Sequence, residues 1–210
     1  MSSRFQIGDI SMTRHFPLII TAFALATAAF GAIPDDAYQV GYLANFTHGD
    51  SFVNLTNAGS VTGGGLDNPI CANVYVLAED QQLIGCCACP LTANHLKTLS
   101  AKNDLISNTL TPGVPQAVTV ALQANKSAVC NAATVTTASL VPGLRAWSVT
   151  LHALPSGAGY TVTEPAFQKA TIGADEFTKL TSYCGFIQVI GSGYGICRSC
   201  RTGASGAAKQ

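Results

Sequence analysis

Cysteine is the residue type in this sequence with the widest chemical range. The chain of 210 residues contains eight cysteines, three of them in a Cys86-Cys87-Ala-Cys89 block. Cys197 and Cys200 form a CxxC pair near the C-terminus. In an exported chain an even number of cysteines predicts disulfides rather than free thiols. The predicted disulfide residues are Cys71, Cys86, Cys87, Cys89, Cys130, Cys184, Cys197 and Cys200.

A metal or redox site is the alternative interpretation of the same residues. Four thiolates from the Cys86–Cys89 block and the Cys197–Cys200 pair could hold zinc or perform thiol chemistry. The C-x-C spacing is tighter than the usual zinc-ligand spacing. The CxxC pair also does not open a helix in a βαβ unit, where a thioredoxin-like motif belongs. The sequence therefore favours disulfides and predicts no cofactor or metal ligand. A metal- or thiol-dependent extracytoplasmic enzyme remains the alternative.

Strand alternation limits how the cysteines can pair. It places Cys87 and Cys89 on one face of a strand and Cys86 on the other. We expect Cys71 to bridge to this block, closing a loop of roughly 15–20 residues worth about 3 kcal/mol. A bond between adjacent Cys86 and Cys87 is disfavoured by disulfide geometry. Cys184, Cys197 and Cys200 could form disulfides with one another. They could instead form disulfides with the Cys86–Cys89 block.

The other chemical motifs are weak. No Gly-x-Ser-x-Gly elbow occurs, and His48, His95 and His152 stand at no metal-ligand spacing. A hydrolase would have to assemble His95 or His152 with a distant serine and carboxylate. The glycine-rich run 191–195 follows an apolar segment, as a phosphate loop would, but no βαβ unit surrounds it. We predict a closely packed turn there, and no catalytic or cofactor-binding residue.

The positioning elements are mostly strands. Apolar alternation predicts a β-hairpin at 71–89. In the strand 144–154 it places one set of alternate residues toward the core, namely Arg145, Trp147, Val149, Leu151 and Ala153. A helical turn is expected at 92–99. A helix is expected at 174–183, with Phe177, Leu180 and Cys184 facing inward. Strands are predicted at 38–46, 51–56, 71–77, 83–89, 117–123, 133–140, 144–154, 160–163 and 186–190.

Many short strands separated by Gly, Pro and Asn predict the fold class. We expect a mainly β protein, an antiparallel β-sandwich with one short C-terminal α-helix, stapled by disulfides. Residues 32–200 are of a length that suits a single domain. Residues 201–210 are small and polar and are predicted to form a flexible tail.

The N-terminal sequence predicts an export signal. Residues 16–30 are an uncharged apolar stretch preceded by basic residues and followed by small ones, which is typical of a secretory signal peptide. We expect cleavage after Gly31, with Met12 as a possible true start. The apolar stretch is shorter than the ~20 residues that a membrane span needs, and no later segment of the mature chain has a spanning pattern. The predicted location is secreted or extracytoplasmic, in the periplasm or at the cell surface.

Composition narrows the functional class. Charged residues make up 10% of the chain, with 11 basic and 11 acidic residues. Without a basic excess we expect no nucleic-acid partner. Low charge, many cysteines and the lack of a catalytic motif favour a non-catalytic binding or surface-assembly domain. Its partner would be a protein, a glycan or a surface that the sequence does not specify.

Several segments resemble a group of exported bacterial proteins of unknown function. The Cys86-Cys87-Ala-Cys89 block is the most distinctive of them, and Gly143-Leu-Arg-Ala-Trp147 and Gly191-Ser-Gly-Tyr-Gly-Ile-Cys197 fit the same pattern. The resemblance covers most of residues 50–200. It implies bacterial export and a shared β-rich domain, and it implies no activity or site residue.

Overall fold

The computed structural model describes residues 36–59, 69–126 and 129–200. All of the described residues belong to one compact unit. The predicted signal peptide at 1–31 and the predicted tail at 201–210 lie outside them. The description of the predicted domain therefore begins at Asp36.

The described residues contain two antiparallel sheets, as the alternating pattern predicts. One sheet has five strands in the order β4-β3-β6-β1-β9, and the other has four in the order β5-β2-β7-β8. The strands are β1 (Tyr38–Leu43), β2 (Phe52–Asn57), β3 (Ile70–Leu77), β4 (Leu83–Leu91), β5 (Leu96–Ser100), β6 (Val118–Asn125), β7 (Leu144–Ala153), β8 (Tyr160–Thr163) and β9 (Gln168–Lys169).

Two apolar layers hold these elements together. The layer between the sheets includes Val53 and Leu55 of β2 and Val74 of β3. The second layer lies on the other face of the five-stranded sheet, where α1 (Ala174–Ile190) packs. The five-stranded sheet is thus covered on both faces, and the four-stranded sheet and the helix each bury an apolar face against it, which is the condition for a stable layered domain. The predicted β-sandwich with one helix is confirmed.

The β3–β4 hairpin is the best-predicted element. Its antiparallel register places Val74 opposite Cys87 and Tyr75 opposite Cys86. The strand β4 continues through Pro90, where the sequence pattern predicted a stop. Pro90 is tolerated because β4 is an edge strand of its sheet, so its missing N–H removes no bond that a further strand would need.

The C-terminal helix is longer than predicted. We expected a helix at 174–183 and a strand at 186–190, but α1 runs without a break to Ile190. The β-branched residues at its end favour a strand locally, yet burial of Cys184 and Ile187 against the sheet overrides that preference. Gly191, at φ +66°, ends the helix in the left-handed conformation that glycine adopts readily.

Two further elements differ from prediction. The expected helical turn at 92–99 is largely β5, because 96–100 pairs with β2 along the sheet edge. The expected strand at 133–140 is instead a short 3₁₀ turn, Thr137–Ser139, followed by a single bridge between Leu140 and Asn125. This segment covers the face of the five-stranded sheet that also packs α1, where Val135 and Leu140 are buried. In both places tertiary contacts decide between weak local preferences.

The inward face of β7 is the opposite of the predicted one. Leu144, Ala146, Ser148 and Thr150 are buried, whereas Arg145 is exposed and Trp147, Val149 and Leu151 are only half-buried. The prediction was wrong because it assigned the larger apolar side chains to the core. The inner face instead carries small side chains such as Ala146. Phe167 is buried in the same apolar layer, and its backbone N–H donates to the Ala146 carbonyl at 2.9 Å.

Candidate functional site

The eight cysteines form four disulfides, and none of them is free. The C-terminal segment forms disulfides with all three cysteines of the β4 block, Cys86, Cys87 and Cys89. Of the two pairings left open for Cys184, Cys197 and Cys200, the one with the block is therefore observed. As the alternation predicts, Cys86 faces α1, whereas Cys87 and Cys89 face the inter-sheet core. The pairs are Cys71–Cys130, Cys86–Cys184, Cys87–Cys197 and Cys89–Cys200.

The expected bridge from Cys71 to the β4 block was wrong. Cys71 and Cys86 lie on the same face of the hairpin, but Cys86 is opposite Tyr75, four residues along β3 from Cys71. At a rise of about 3.3 Å per residue this offset is about 13 Å, too far for a disulfide. Cys71 pairs with Cys130 instead, at a Cα–Cα distance of 5.4 Å.

These pairings bear directly on the zinc or redox hypothesis. Cys87 pairs with Cys197 and Cys89 with Cys200, at Cα–Cα distances of 5.4 and 4.8 Å. All four side chains are buried in the inter-sheet core. A sulfur held in a disulfide is not a thiolate, so it supplies neither a metal ligand nor a nucleophile. Among the described residues no cluster of three or more His, Cys, Asp or Glu side chains could hold a metal ion.

The glycine-rich run after α1 is a packed turn, as expected. The carbonyl of Gly195 accepts the N–H of Cys86 at 2.8 Å, and its N–H donates to Asn108 at 2.6 Å. Gly195 has φ +76°, and an added Cβ would lie 2.9 Å from the Ile187 side chain. These bonds tie the turn to β4 and turn its backbone groups toward the protein rather than toward a phosphate.

His152 is the histidine with the best-defined partners. The Asn45 side-chain amide donates to the Leu151 carbonyl at 2.7 Å and to His152 Nδ1 at 3.2 Å. Because an amide nitrogen only donates, Nδ1 is the acceptor and the neutral ring carries its proton on Nε2. Nε2 then donates to the Thr163 hydroxyl, 2.9 Å away. This ring cannot act as a base toward Thr163, so the pair is not a nucleophile–base dyad.

Ser100 and two carboxylates form a polar cluster that the sequence did not single out. The Ser100 hydroxyl donates to Asp50, and the Ser100 N–H donates to Asp104 at 2.7 Å. Asp50 also accepts the N–H of Lys102 at 3.0 Å, within the π-helical turn Ala101–Leu105. These bonds satisfy backbone donors at the start of that turn. The cluster contains no histidine, and we assign it to structure.

A buried polar network lies under the segment 130–140. The Tyr75 hydroxyl is 2.7 Å from the Ala132 carbonyl and 3.2 Å from Gln123 Oε1. Burial raises the pKa of Tyr75, and the neighbouring Tyr38 raises it further. Asn73 Oδ1 and Gln123 Nε2, one acceptor and one donor, are buried without a partner in the described residues. Such a pair is typical of a site that holds a buried water.

A groove opens where the two sheets separate beside β1 and β7. Its volume is about 500 Å³, within the range of small-molecule sites. We name it the inter-sheet groove and define it by six of its lining residues. They are Tyr42, Thr119, Thr150, His152, Thr163 and Gln168.

The outward side of α1 is apolar near its C-terminal end. Phe186 is 61% exposed and Val189 is 85% exposed. Tyr183 and Ile190 are also exposed, and at 100° per residue the four side chains span an arc of about 120°. We name Tyr183, Phe186, Val189 and Ile190 the α1 face. Tyr194, exposed as well, follows just beyond the helix.

No family model, curated protein or solved structure matches the chain. None of the helices among the described residues is both long and apolar enough to cross a membrane. The four disulfides are compatible with an extracellular location. The groove and the α1 face are the two surfaces of the described residues that bear on function.

Neither surface was among the predicted site residues. Phe186, Val189 and Ile190 were predicted as a strand, although their spacing from Tyr183 fits one side of a helix. Thr150 and His152 were placed on the outer, polar face of β7, and the groove reverses that placement for Thr150. The signal that identifies the α1 face is a helical spacing of apolar residues that continues past Cys184.

Proposed function

We propose that this chain is an extracytoplasmic, non-catalytic surface-assembly domain that associates with a second copy of itself through the α1 face. The observation that carries the proposal is the exposure of four large apolar side chains on one side of one helix. Soluble monomers rarely expose a contiguous apolar patch of more than a few hundred Å². Together with Tyr194, these side chains offer roughly 600 Å², from ordinary side-chain areas.

The absence of charge around the α1 face favours a second copy as its partner. Residues 180–197 contain no Lys, Arg, Asp or Glu. In a twofold interface the same patch meets itself, so a charge near the symmetry axis would face a like charge. A neutral patch avoids this repulsion, and it gives a charged partner nothing to pair with.

The spacing along α1 also suits a twofold interface. Tyr183 and Ile190 lie at equal distances in sequence on either side of the step from Phe186 to Ile187. Two antiparallel helices that cross at this step would place Tyr183 of one molecule against Ile190 of the other. The two Phe186 rings would then lie near the symmetry axis, where aromatic pairs add stability beyond their buried area.

The size of the patch sets the expected affinity. Stable interfaces bury about 800 Å² on each partner. The α1 face is smaller, so we expect association with a Kd of tens of micromolar, at about 10–100 μM. Such an affinity suits a domain that assembles where its copies are concentrated, as on a cell surface. We also propose that the protein is exported from a bacterial cell. We further propose that it is related to other exported proteins that carry the CCxC and GSGxGxC segments.

Sedimentation of matched variants tests the proposal. Phe186→Asp places a charge in the α1 face, and Val114→Asp is the control, since both side chains are 61% exposed. We expect wild-type protein and Val114→Asp to gain weight-average mass with concentration and Phe186→Asp to associate at least about tenfold more weakly. A wild-type protein that stays monomeric to about 1 mM, or equal association of both variants, contradicts the proposal.

A further inference from the structure

The inter-sheet groove has an uncharged lining that is mostly apolar and carries a few polar groups. The walls present three threonine hydroxyls, a ring nitrogen pair and the Gln168 amide, and the described lining includes no Lys, Arg, Asp or Glu. Buried phosphate or carboxylate groups need charge-assisted donors, and charged peptides need a counter-charge. The lining therefore suits a neutral ligand that carries its own hydrogen-bonding groups.

Thr150 supplies a free hydroxyl to the groove. The residue is 6% exposed and lines the groove from the inner face of β7. Within the described residues its hydroxyl has no hydrogen-bond partner, whereas the neighbouring His152 and Thr163 are bonded to each other. The Thr150 oxygen is not among the fully buried polar atoms that lack a partner, so it is accessible from the groove. A ligand hydroxyl in the groove can bond to it.

Thr163 is prepared to donate to a ligand. Asn45 fixes the neutral His152 ring with its proton on Nε2, and that proton goes to the Thr163 oxygen. The hydroxyl hydrogen of Thr163 is therefore left for another acceptor. The groove thus offers hydroxyl groups that can both donate and accept, at Thr150 and Thr163, about one strand spacing apart on β7 and β8.

Tyr42 supplies an apolar surface at the edge of the groove. The side chain is 62% exposed and lines the groove, so its ring is accessible to a ligand. A tyrosine ring offers an apolar face and a polar tip. A pyranose ring has the matching character, because its hydroxyls lie around its rim and its C–H bonds form an apolar face.

We propose that the inter-sheet groove binds one or two units of a neutral saccharide. One sugar ring stacks on Tyr42, and its hydroxyls bond to Thr150, Thr163 and Gln168. We propose binding without hydrolysis, since the described residues that line the groove include no carboxylate pair. The proposal is independent of self-association, because no residue of the α1 face lines the groove.

A titration with defined sugars tests this site. The probes are cellobiose, maltose and N,N′-diacetylchitobiose, with glucose 6-phosphate as a charged comparison. Binding is measured by isotope-edited NMR of the full exported protein. We expect at least one neutral disaccharide to bind with a Kd below about 10 mM, with shifts confined to β1, β7 and β8. Glucose 6-phosphate should bind at least about tenfold more weakly.

Three variants complete the test. Thr150→Val keeps the volume and removes the hydroxyl, and Tyr42→Ala removes the stacking ring without disturbing the core. Each should weaken binding about tenfold, the effect of one lost hydrogen bond or stacking contact. Tyr160→Ala, a similarly exposed tyrosine outside the lining, should bind as the wild type does. The proposal is overturned if none of the three sugars binds, if Tyr42→Ala and Thr150→Val leave binding unchanged, or if only the phosphate binds.

Discussion

At the scale of single residues, Tyr75 couples the fold to pH. Its hydroxyl donates within a buried network, and burial raises its pKa, with Tyr38 as the smaller cause. Burial also raises the pKa of Tyr38, to which Glu176 adds. An unfolded tyrosine ionises at about pH 10. Both side chains must therefore stay neutral in the folded protein at a pH at which the unfolded chain loses its protons.

The sign of the resulting pH dependence follows from proton counts. Above about pH 10 the folded state holds more protons than the unfolded state, so the free energy of unfolding falls as the pH rises. Below pH 10 these tyrosines contribute no pH dependence. We predict a fall in stability that begins near pH 10 and is smaller in Tyr75→Phe. Urea unfolding at pH 8, 10 and 11 measures it, and an equal slope in the two proteins would count against the assignment.

Tyr75→Phe should also destabilise the protein at neutral pH. The change removes the donor to the Ala132 carbonyl and keeps the ring. A buried acceptor that loses its partner costs about 1–2 kcal/mol. The comparison is Tyr160→Phe, whose exposed hydroxyl should make no measurable difference to the urea midpoint at pH 7.

Gly195 offers a second test at the residue scale. Gly193 and Gly195 both have positive φ, at +79° and +76°, so alanine at either position costs about 1–2 kcal/mol of backbone strain. Only at Gly195 does an added Cβ meet another side chain, at 2.9 Å from Ile187. We predict a lower melting temperature for Gly195→Ala than for Gly193→Ala. Equal melting temperatures would show that the turn does not pack closely on α1.

At the scale of elements, the Cys86–Cys184 disulfide holds α1 on the sheet. Its cysteines are 98 residues apart, but Cys87–Cys197 already joins the neighbouring positions, so Cys86–Cys184 closes a further ring of only roughly 15 residues. Such a ring stabilises by about 3 kcal/mol in the chain-entropy model. Replacing both cysteines by alanine should lower stability by about this amount and speed hydrogen exchange along 174–190. The control, replacement of Cys71 and Cys130, which are 59 residues apart, should lose similar stability without loosening α1. Equal exchange in α1 in both variants would contradict this role.

The elements also show where sequence reasoning succeeds. Strands with clear alternation and turn residues, such as β3 and β4, were predicted because local pattern and burial agree. The end of α1 and the segment 133–140 were not, because contacts with the sheet override their local preferences. The predicted inward face of β7 was wrong because the size of a side chain such as Trp147 does not determine which face of the strand is buried. The packing of neighbouring elements determines it. The groove depends on where two sheets separate, which no local pattern encodes.

At the scale of the whole molecule, the disulfides support the proposed assembly through the α1 face. Three of the four disulfides tie the segment 184–200 to β4, and this segment carries three of the four α1-face residues and Tyr194. A rigid support lowers the entropy lost when a small patch associates. Reduction of the disulfides should therefore abolish self-association before the sheets unfold, as followed by sedimentation and far-UV circular dichroism at increasing reductant.

The most direct test of assembly through the α1 face is fluorine NMR of protein labelled with 3-fluorotyrosine. Four of its tyrosines are at least half exposed, namely Tyr42, Tyr160, Tyr183 and Tyr194. Assigned by single Tyr→Phe changes, the resonances of Tyr183 and Tyr194 should shift as the protein concentration rises from about 10 μM to about 1 mM. Those of Tyr42 and Tyr160 should stay fixed. Resonances that do not move at all, or shifts confined to Tyr42 and Tyr160, would contradict assembly through α1.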